Sequence, residues 1–474
     1  MTRPLLYFLA ALLALQPVTY AAQTPPNVIF ILTDDLGWGD LGCYGHPITR
    51  TPNIDALAAR GTLFTNFYVN ASVCSPSRCA FFTGQYPSRH RIHGHYATPE
   101  MNKNRGMSDW LEPQVPNTAR LLKSAGYATA HIGKWHLGSN SGGPEPDQYG
   151  FDYVGSGEKE GANGPAADPY YRANSTRLFV DEAIQFIEKH KDTPFYTQIW
   201  TLVPHATLSP TPEQMKEYSR LRAGGPTFPH ASAAQIFSSS VTDLDTQLGR
   251  LFKALDDMKL TDKTLIIFSS DNGPEDIHIQ NAGHSGIGSA GPFRGRKRSL
   301  YEGGIRVPGI IAWPGHIPAG RIDKQSIVSG VDILPSLCAL AGVKIPADHA
   351  LDGEDMSDTW TGETRPRKHP LMWEWRFRIA GEPFHHSPEL AIRDGQWKLL
   401  MNPDKSRVEL YDLNQDLTQL NNVAEHHPDI VERLGSQVTA WAKTLPTGPR
   451  DPGAGKMNYP MPGQPKPATR RKAK

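Results

Sequence analysis

Cys74-Ser75-Pro76-Ser77-Arg78 puts a thiol, a helix-starting proline and a guanidinium into five residues. Pro76 suits a first helical turn, where a missing N–H costs nothing. The free N–H groups of that turn favour an anion. Arg78, about one turn on, can hydrogen-bond whatever position 74 carries. The blander alternative is a strand-to-helix corner with a buried cysteine.

Further polar residues follow apolar, strand-like runs. Asp34 and Asp35 come after residues 28–32, Lys134 and His136 after 127–132, His205 after 195–202, and Asp271 with Asn272 after 265–268. Ligands of open α/β sheets lie beyond the carboxyl ends of the strands. Four strands therefore deliver acids, bases and cations to one edge. Adjacent carboxylates repel unless something neutralises them. Asp34, Asp35, Asp271 and Asn272 offer only oxygen ligands, three of them carboxylates, which suits calcium better than magnesium.

The elements that must position these groups are legible. A helix is expected around residues 119–124 with Gly126 as its stop, another carries Phe179, Ala183, Phe186 and Ile187, and Val241, Leu244, Leu248, Leu251 and Leu255 follow a 3,4,3,4 spacing. Alternating strands and helices predict an α/β fold with a large, mainly parallel sheet covered by helices. After about Arg365 come short strand candidates, with Asp394-Gly395 as a hairpin signal, and then a helix. This predicts a small C-terminal antiparallel sheet with one helix. The expected division is a signal peptide over 1–22, a catalytic domain over 25–365, a small subdomain over 366–445 and a disordered basic tail over 446–474.

The start of the chain reads as a secretory signal: Arg3, an apolar run over 5–15, and small residues near Ala22. The mature protein is expected to be exported, periplasmic or secreted, with no integral membrane segment after signal removal. A formal net charge of +1 over 474 residues gives no global field for nucleic acid. Four cysteines are too few for a disulfide scaffold, and no Cys/His cluster points to zinc.

The pentapeptide, with Thr83-Gly84 after it, resembles the C-x-P-S-R signature of the formylglycine-dependent sulfatases, in their arylsulfatase and N-acetylgalactosamine-6-sulfatase branch of the alkaline-phosphatase-like superfamily. The segment Lys297 to Glu302-Gly303-Gly304 is similar to that family's G-x-K-x-x-x-x-E-G-G stretch. The resemblance implies that Cys74 is oxidised to formylglycine (3-oxoalanine) by dedicated maturation machinery. It implies that the aldehyde hydrate attacks sulfur, and that calcium is held by Asp34, Asp35, Asp271, Asn272 and the oxygen at position 74. It also implies sulfate contacts from Lys134 and Lys297, with Arg78, His136 and His205 completing the catalytic set. The resemblance to His205 rests only on its place after a strand and Pro204.

The substrate implied is a sulfated saccharide or aryl sulfate. Arg91, His93, His95, His278, His284, Glu374 and Trp375 are candidate selectors, because sugar sites favour aromatic platforms and bidentate polar groups. A phosphate or phosphonate ester hydrolase of the same fold, and a non-catalytic exported calcium- or glycan-binding protein, are the competing readings.

Overall fold

The computed structural model describes residues 25–138, 142–157, 168–221, 231–279 and 283–457. The expected signal peptide and the end of the basic tail lie outside these residues.

Nine strands form the main sheet: β1 (Asn27–Asp34), β2 (Thr62–Tyr68), β3 (Ala128–Gly133), β4 (Tyr153–Gly157), β5 (Phe195–Pro204), β6 (Thr264–Ser270), β7 (Arg306–Ala312), β8 (Arg321–Asp323) and β9 (Val328–Ser329). Their order is β4-β3-β5-β1-β6-β7-β2-β8, with β9 also on β2. β1 is parallel to both β5 and β6. Its eight residues are all buried, as a central parallel strand covered on both faces requires. Alternation sends Val28, Phe30 and Leu32 into one core, and Ile29 and Ile31 into another with the helices Tyr171–Lys189 and Ala231–Asp257.

β7 departs from the parallel pattern: it runs antiparallel to β6 and to β2. The sequence reading places neither β2 nor β7. Pro308 and Gly309 inside β7 mask its signal. β7 begins directly after the Glu302–Ile305 turn, so it fixes where the Lys297 segment arrives.

The small sheet, β10 (Leu371–Glu374), β11 (Leu390–Asp394), β12 (Trp397–Met401) and β13 (Val408–Asp412), is antiparallel throughout. One face packs Leu390, Ile392, Leu399 and Leu410 under Leu434 and Val438 of the helix Pro428–Thr444. Trp373, Ala391, Leu400 and Tyr411 on the other face join the core of the main domain. Trp373 Nε1 donates to the Val69 carbonyl at 2.7 Å, and Lys398 bonds Glu302 at 2.7 Å. The two parts thus share a core.

Residues 446–457, expected to begin a disordered tail, instead lie along the small sheet. Arg376 Nη2 donates to the Pro446 carbonyl at 2.9 Å, Asp451 N to the Arg376 carbonyl at 2.9 Å, and Arg450 bonds Glu389 at 2.5 Å. Backbone and ion-pair partners hold this stretch despite its proline and glycine content. No helix among the described residues is long and apolar enough to cross a membrane.

Gly273 follows the Asp271-Asn272 pair, and its N–H donates to the Gly304 carbonyl at 3.0 Å. A Cβ there would stand 1.9 Å from the Gly303 carbonyl oxygen. Gly273→Ala is therefore expected to cost about 1–3 kcal/mol by forcing backbone apart. Urea unfolding would measure it, and a wild-type midpoint would refute the close approach.

Candidate active site

Cys74 begins the helix Cys74–Thr83, whose ten residues are all buried. Val73 precedes it in extended conformation without a side-chain cap, so the first-turn N–H groups face position 74's surroundings uncapped. Gly84, in the left-handed region, closes the helix.

The strand ends supply the rest. β1 ends at Asp34, and Asp35 follows with φ 68°, a conformation costly for a non-glycine residue. Its N–H donates to Asp271 Oδ1 at 3.1 Å, while Asp271 N donates to the Thr33 carbonyl at 3.1 Å. The β1–β6 pairing thus clamps the two acidic turns together. At the end of β3, Gly133 has φ 104°, and a Cβ would meet the Trp200 carbonyl oxygen at 2.0 Å. That close approach lets Lys134 N bond the same carbonyl at 2.7 Å and turn its side chain back over the sheet edge.

Each carboxylate has its own cation. Lys134 Nζ donates to Asp34 Oδ2 at 2.7 Å, Lys297 Nζ reaches Asp35 at 2.7 Å, and Arg78 Nη2 donates to Asp271 Oδ2 at 2.7 Å. Arg78 Nη1 also holds the Lys134 carbonyl at 2.8 Å. Burial opposes ionisation of Asp34, yet Lys134, His205, Arg78 and Lys297 hold its carboxyl well below the usual range. Burial and the charge of Asp34 push Asp271 well up, against Arg78. A divalent cation between the two would relieve that conflict.

The oxygen donors fit such an ion. Asp34 Oδ1 and Asn272 Oδ1 are buried and have no hydrogen-bond partner among the described residues. Asn272 Nδ2 meanwhile donates to Asp35 Oδ1 at 2.7 Å, which fixes the amide and leaves its oxygen available. Buried polar atoms without partners are costly and call for an explanation such as an ion. Asp34, Asp35 and His205 also bring one ligand atom each to within 4.8 Å of one another.

A cavity of about 300 Å³ opens over this cluster, lined among others by Cys74, Lys134, His136, His205 and Lys297. His205 Nδ1 faces the Ala206 carbonyl at 2.7 Å and so carries the proton, which leaves Nε2 3.8 Å from Asp35. Arg172 lies beyond at 3.4 Å from Nδ1 and bonds the Leu202 carbonyl at 3.0 Å. A third of the His205 side chain is open to the cavity. Burial and then Lys297 nevertheless push its pKa well down. His136 Nε2 lies 3.2 Å from the Tyr96 carbonyl.

The expected substrate selectors divide. His95 lines the cavity, and with Trp375 it also lines a second basin beside it. His93 and Glu374 are buried and engaged with each other at 2.6 Å, with Arg376 on the far side of Glu374 at 2.8 Å. They tie the loop after the helix Cys74–Thr83 to the small sheet. Arg91 and His284 line neither space, and His278 is exposed beside Asp276 at 3.1 Å.

Burial would raise the Glu374 carboxyl, but His93 and Arg376 hold it below the usual range. The stabilisation is therefore complete above the ordinary glutamate value of about 4.3 and is lost as pH falls through the lower folded value. Glu374→Gln is expected to lose about 2 kcal/mol at pH 6, the gap closing in acid. Denaturant titrations at several pH values test this; a gap that widens in acid would contradict it.

Three residues in or beside the site escaped the sequence reading. Glu275, which accepts both arms of Arg298 at 2.5 and 3.0 Å, stands four residues after Asp271, and that nearness was its only signal. Arg298 stands beside Arg294, Arg296 and Lys297, a run of like charge in which sequence does not mark it out. Arg172 carries no local signal.

A family model described as Sulfatase matches residues 26–343, and one described as N-sulphoglucosamine sulphohydrolase, C-terminal, matches residues 291–444. N-acetylgalactosamine-6-sulfatase of Sus scrofa is 36% identical over 373 residues, covering 72% of this chain; the chain spans 66% of that relative's length. N-acetylgalactosamine-6-O-sulfatase of Bacteroides thetaiotaomicron is 29% identical, over 86% of this chain and 91% of its own. A solved structure titled for the metabolism of multiple glycosaminoglycans by Bacteroides thetaiotaomicron superposes with a TM-score of 0.72 at 26% identity, covering 89% of this chain and 100% of its own.

Proposed function

The chain belongs to the sulfatase family, and from that premise we propose that it hydrolyses sulfate monoesters on carbohydrates, with N-acetylgalactosamine 6-sulfate as the first candidate. The observation that carries this reading is the convergence of Cys74, Lys134, His136, His205 and Lys297 on one cavity above oxygens that lack partners.

In this reading Asp34, Asp35, Asp271, Asn272 and an oxygen at position 74 hold a calcium ion, which supplies positive charge opposite the anionic ester. Cys74, matured to formylglycine, supplies a carbon able to carry two hydroxyls, one to take the sulfate and one to release it. The maturation machinery and an export route are part of the proposal.

The remaining work falls to groups on this chain. Lys134 and Lys297 lie in the cavity wall, where their charge and N–H groups oppose the spreading negative charge of sulfuryl transfer. Arg78, locked by Asp271 and the Lys134 carbonyl, is a positioning group under the helix start. His205 presents Nε2 with its ring fixed by Ala206. Burial and Lys297 keep it neutral until an anion arrives. A bound sulfate ester favours protonation at Nε2, so the proton is in place for the departing sugar oxygen. His136, oriented by the Tyr96 carbonyl, serves the release of sulfate.

The test has two readouts. Mass spectrometry of the peptide spanning Cys74, from protein made in its native host, should show the aldehyde or its hydrate in place of the thiol. Turnover of aryl sulfate should exceed that of aryl phosphate. An intact thiol without turnover would make this a calcium- or glycan-binding protein, and faster phosphate cleavage would reassign the ester.

A further inference from the structure

A second basin of about 510 Å³ adjoins the catalytic cavity and shares His95 and Arg298 with it. Its wall comes from five chain segments: the loop after the catalytic helix, the end of the helix Pro99–Asn104, Arg298, the exit from β10, and residues 449–452. It is strongly cationic. Arg298 is engaged by Glu275, and Arg450 by Glu389 at 2.5 Å. Two other guanidiniums have no such engagement. Among the described residues Arg105 donates only to the His95 carbonyl, at 3.2 Å, with its charge 5.8 Å from the Phe377 ring. Arg378 is exposed and makes no hydrogen bond or ion pair among the described residues.

The field of these groups reaches the shared wall. His95 is pushed down to about 2 by burial and then by Arg105, His136, Lys297 and Arg298. A neutral histidine therefore separates two cationic spaces. Beside it, Trp375 and Phe377 meet edge to face at 5.4 Å and give the basin an apolar wall. Asp451 is the one acid lining it, and Oδ1 accepts from Gly453 N at 2.7 Å. An apolar wall, two guanidiniums without a carboxylate partner and one hydroxyl-accepting acid are the chemistry of an acidic sugar ring.

We propose that this basin binds the sugar next to the one whose ester is cleaved, and that Arg378 and Arg105 recognise an anionic substituent on it, a carboxylate or a second sulfate. The substrate is then a polyanionic oligosaccharide rather than an isolated sulfated sugar. This rests on the proposed sulfatase reading, since it assumes that the cleaved ester lies in the neighbouring cavity.

The test uses full-length protein carrying Cys74→Ala, so that ligand is bound and not consumed. Calorimetry compares three disaccharides of N-acetylgalactosamine 6-sulfate: one joined to a uronic acid, one to the same unit with its carboxyl reduced to an alcohol, and one to a sulfated neutral hexose. The background protein should prefer at least one charged neighbour over the neutral one by about tenfold. Adding Arg378→Ala should cut that preference several-fold, and Arg378→Glu should abolish it. The charged arm that responds identifies the group. Equal affinities for all three ligands, or a preference untouched by both Arg378 variants, would overturn the proposal. Turnover of aryl sulfate by the wild type is scored separately, so failure of the sulfatase reading is not confused with failure of the basin.

Discussion

Cys74→Ala should lower turnover of any sulfate ester by at least about 10³-fold, since a nucleophile is removed while the binding groups stay. The side chain is buried at the helix start, and the substitution removes only one small polar group, so stability should fall by no more than about 1 kcal/mol. The hydrogen bonds that clamp Asp34, Asp35 and Asp271 to Lys134, Lys297 and Arg78 are made without position 74. The variant should therefore fold, still respond to metal through Asp34, Asp35, Asp271 and Asn272 with one ligand fewer, and still bind sulfated ligand. Steady-state rates together with a thermal melt decide the matter. A variant that melts normally and retains wild-type turnover would remove position 74 from the chemistry altogether.

Lys297→Ala should have the second largest effect, and on two observables at once. Its ammonium is buried and lies 2.7 Å from Asp35 and 3.7 Å from Glu275. Burial would lower its pKa, but Asp35, Glu275 and position 74 carry it above the ordinary lysine value, so it is charged throughout the usual pH range. Removing it deletes a cation from the cavity wall, for which a loss of about 10²–10³ in kcat is expected. It also strands the Asp35 carboxylate in a buried site, at a cost of about 3 kcal/mol in metal-free protein. Added calcium should return much of that stability, because a dication can neutralise the same carboxylate, but not the rate. Melting with chelator and with calcium separates the two effects. If calcium fails to stabilise the variant, the placement of the ion beside Asp35 is wrong.

Much of this site could be read before any coordinates. Asp34 and Asp271 come just after the apolar runs 28–32 and 265–268, the mark of parallel strands buried on both faces, while His205 follows a strand that is buried throughout although Thr197, Gln198 and Thr201 interrupt its apolar residues. Sheet topology then forces those ends to one edge. The small sheet was equally plain, because antiparallel strands alternate and Asp394-Gly395 marks the hairpin. His93 and Glu374 show where that reading stops. Their types fit a sugar site, but 281 residues of separation hide the fact that they satisfy each other.

The amino-acid order alone fixed which side chains carry reactive chemistry and which strand ends present them, because backbone periodicity is a local property. Folding decided everything that depends on pairing between distant segments. It matched each carboxylate with a particular cation, left Asp34 Oδ1 and Asn272 Oδ1 without partners, and bent residues 446–457 back to wall a basin with Arg105 and Arg378. Electrostatic strength depends on distance and burial, and neither exists until the chain has closed on itself.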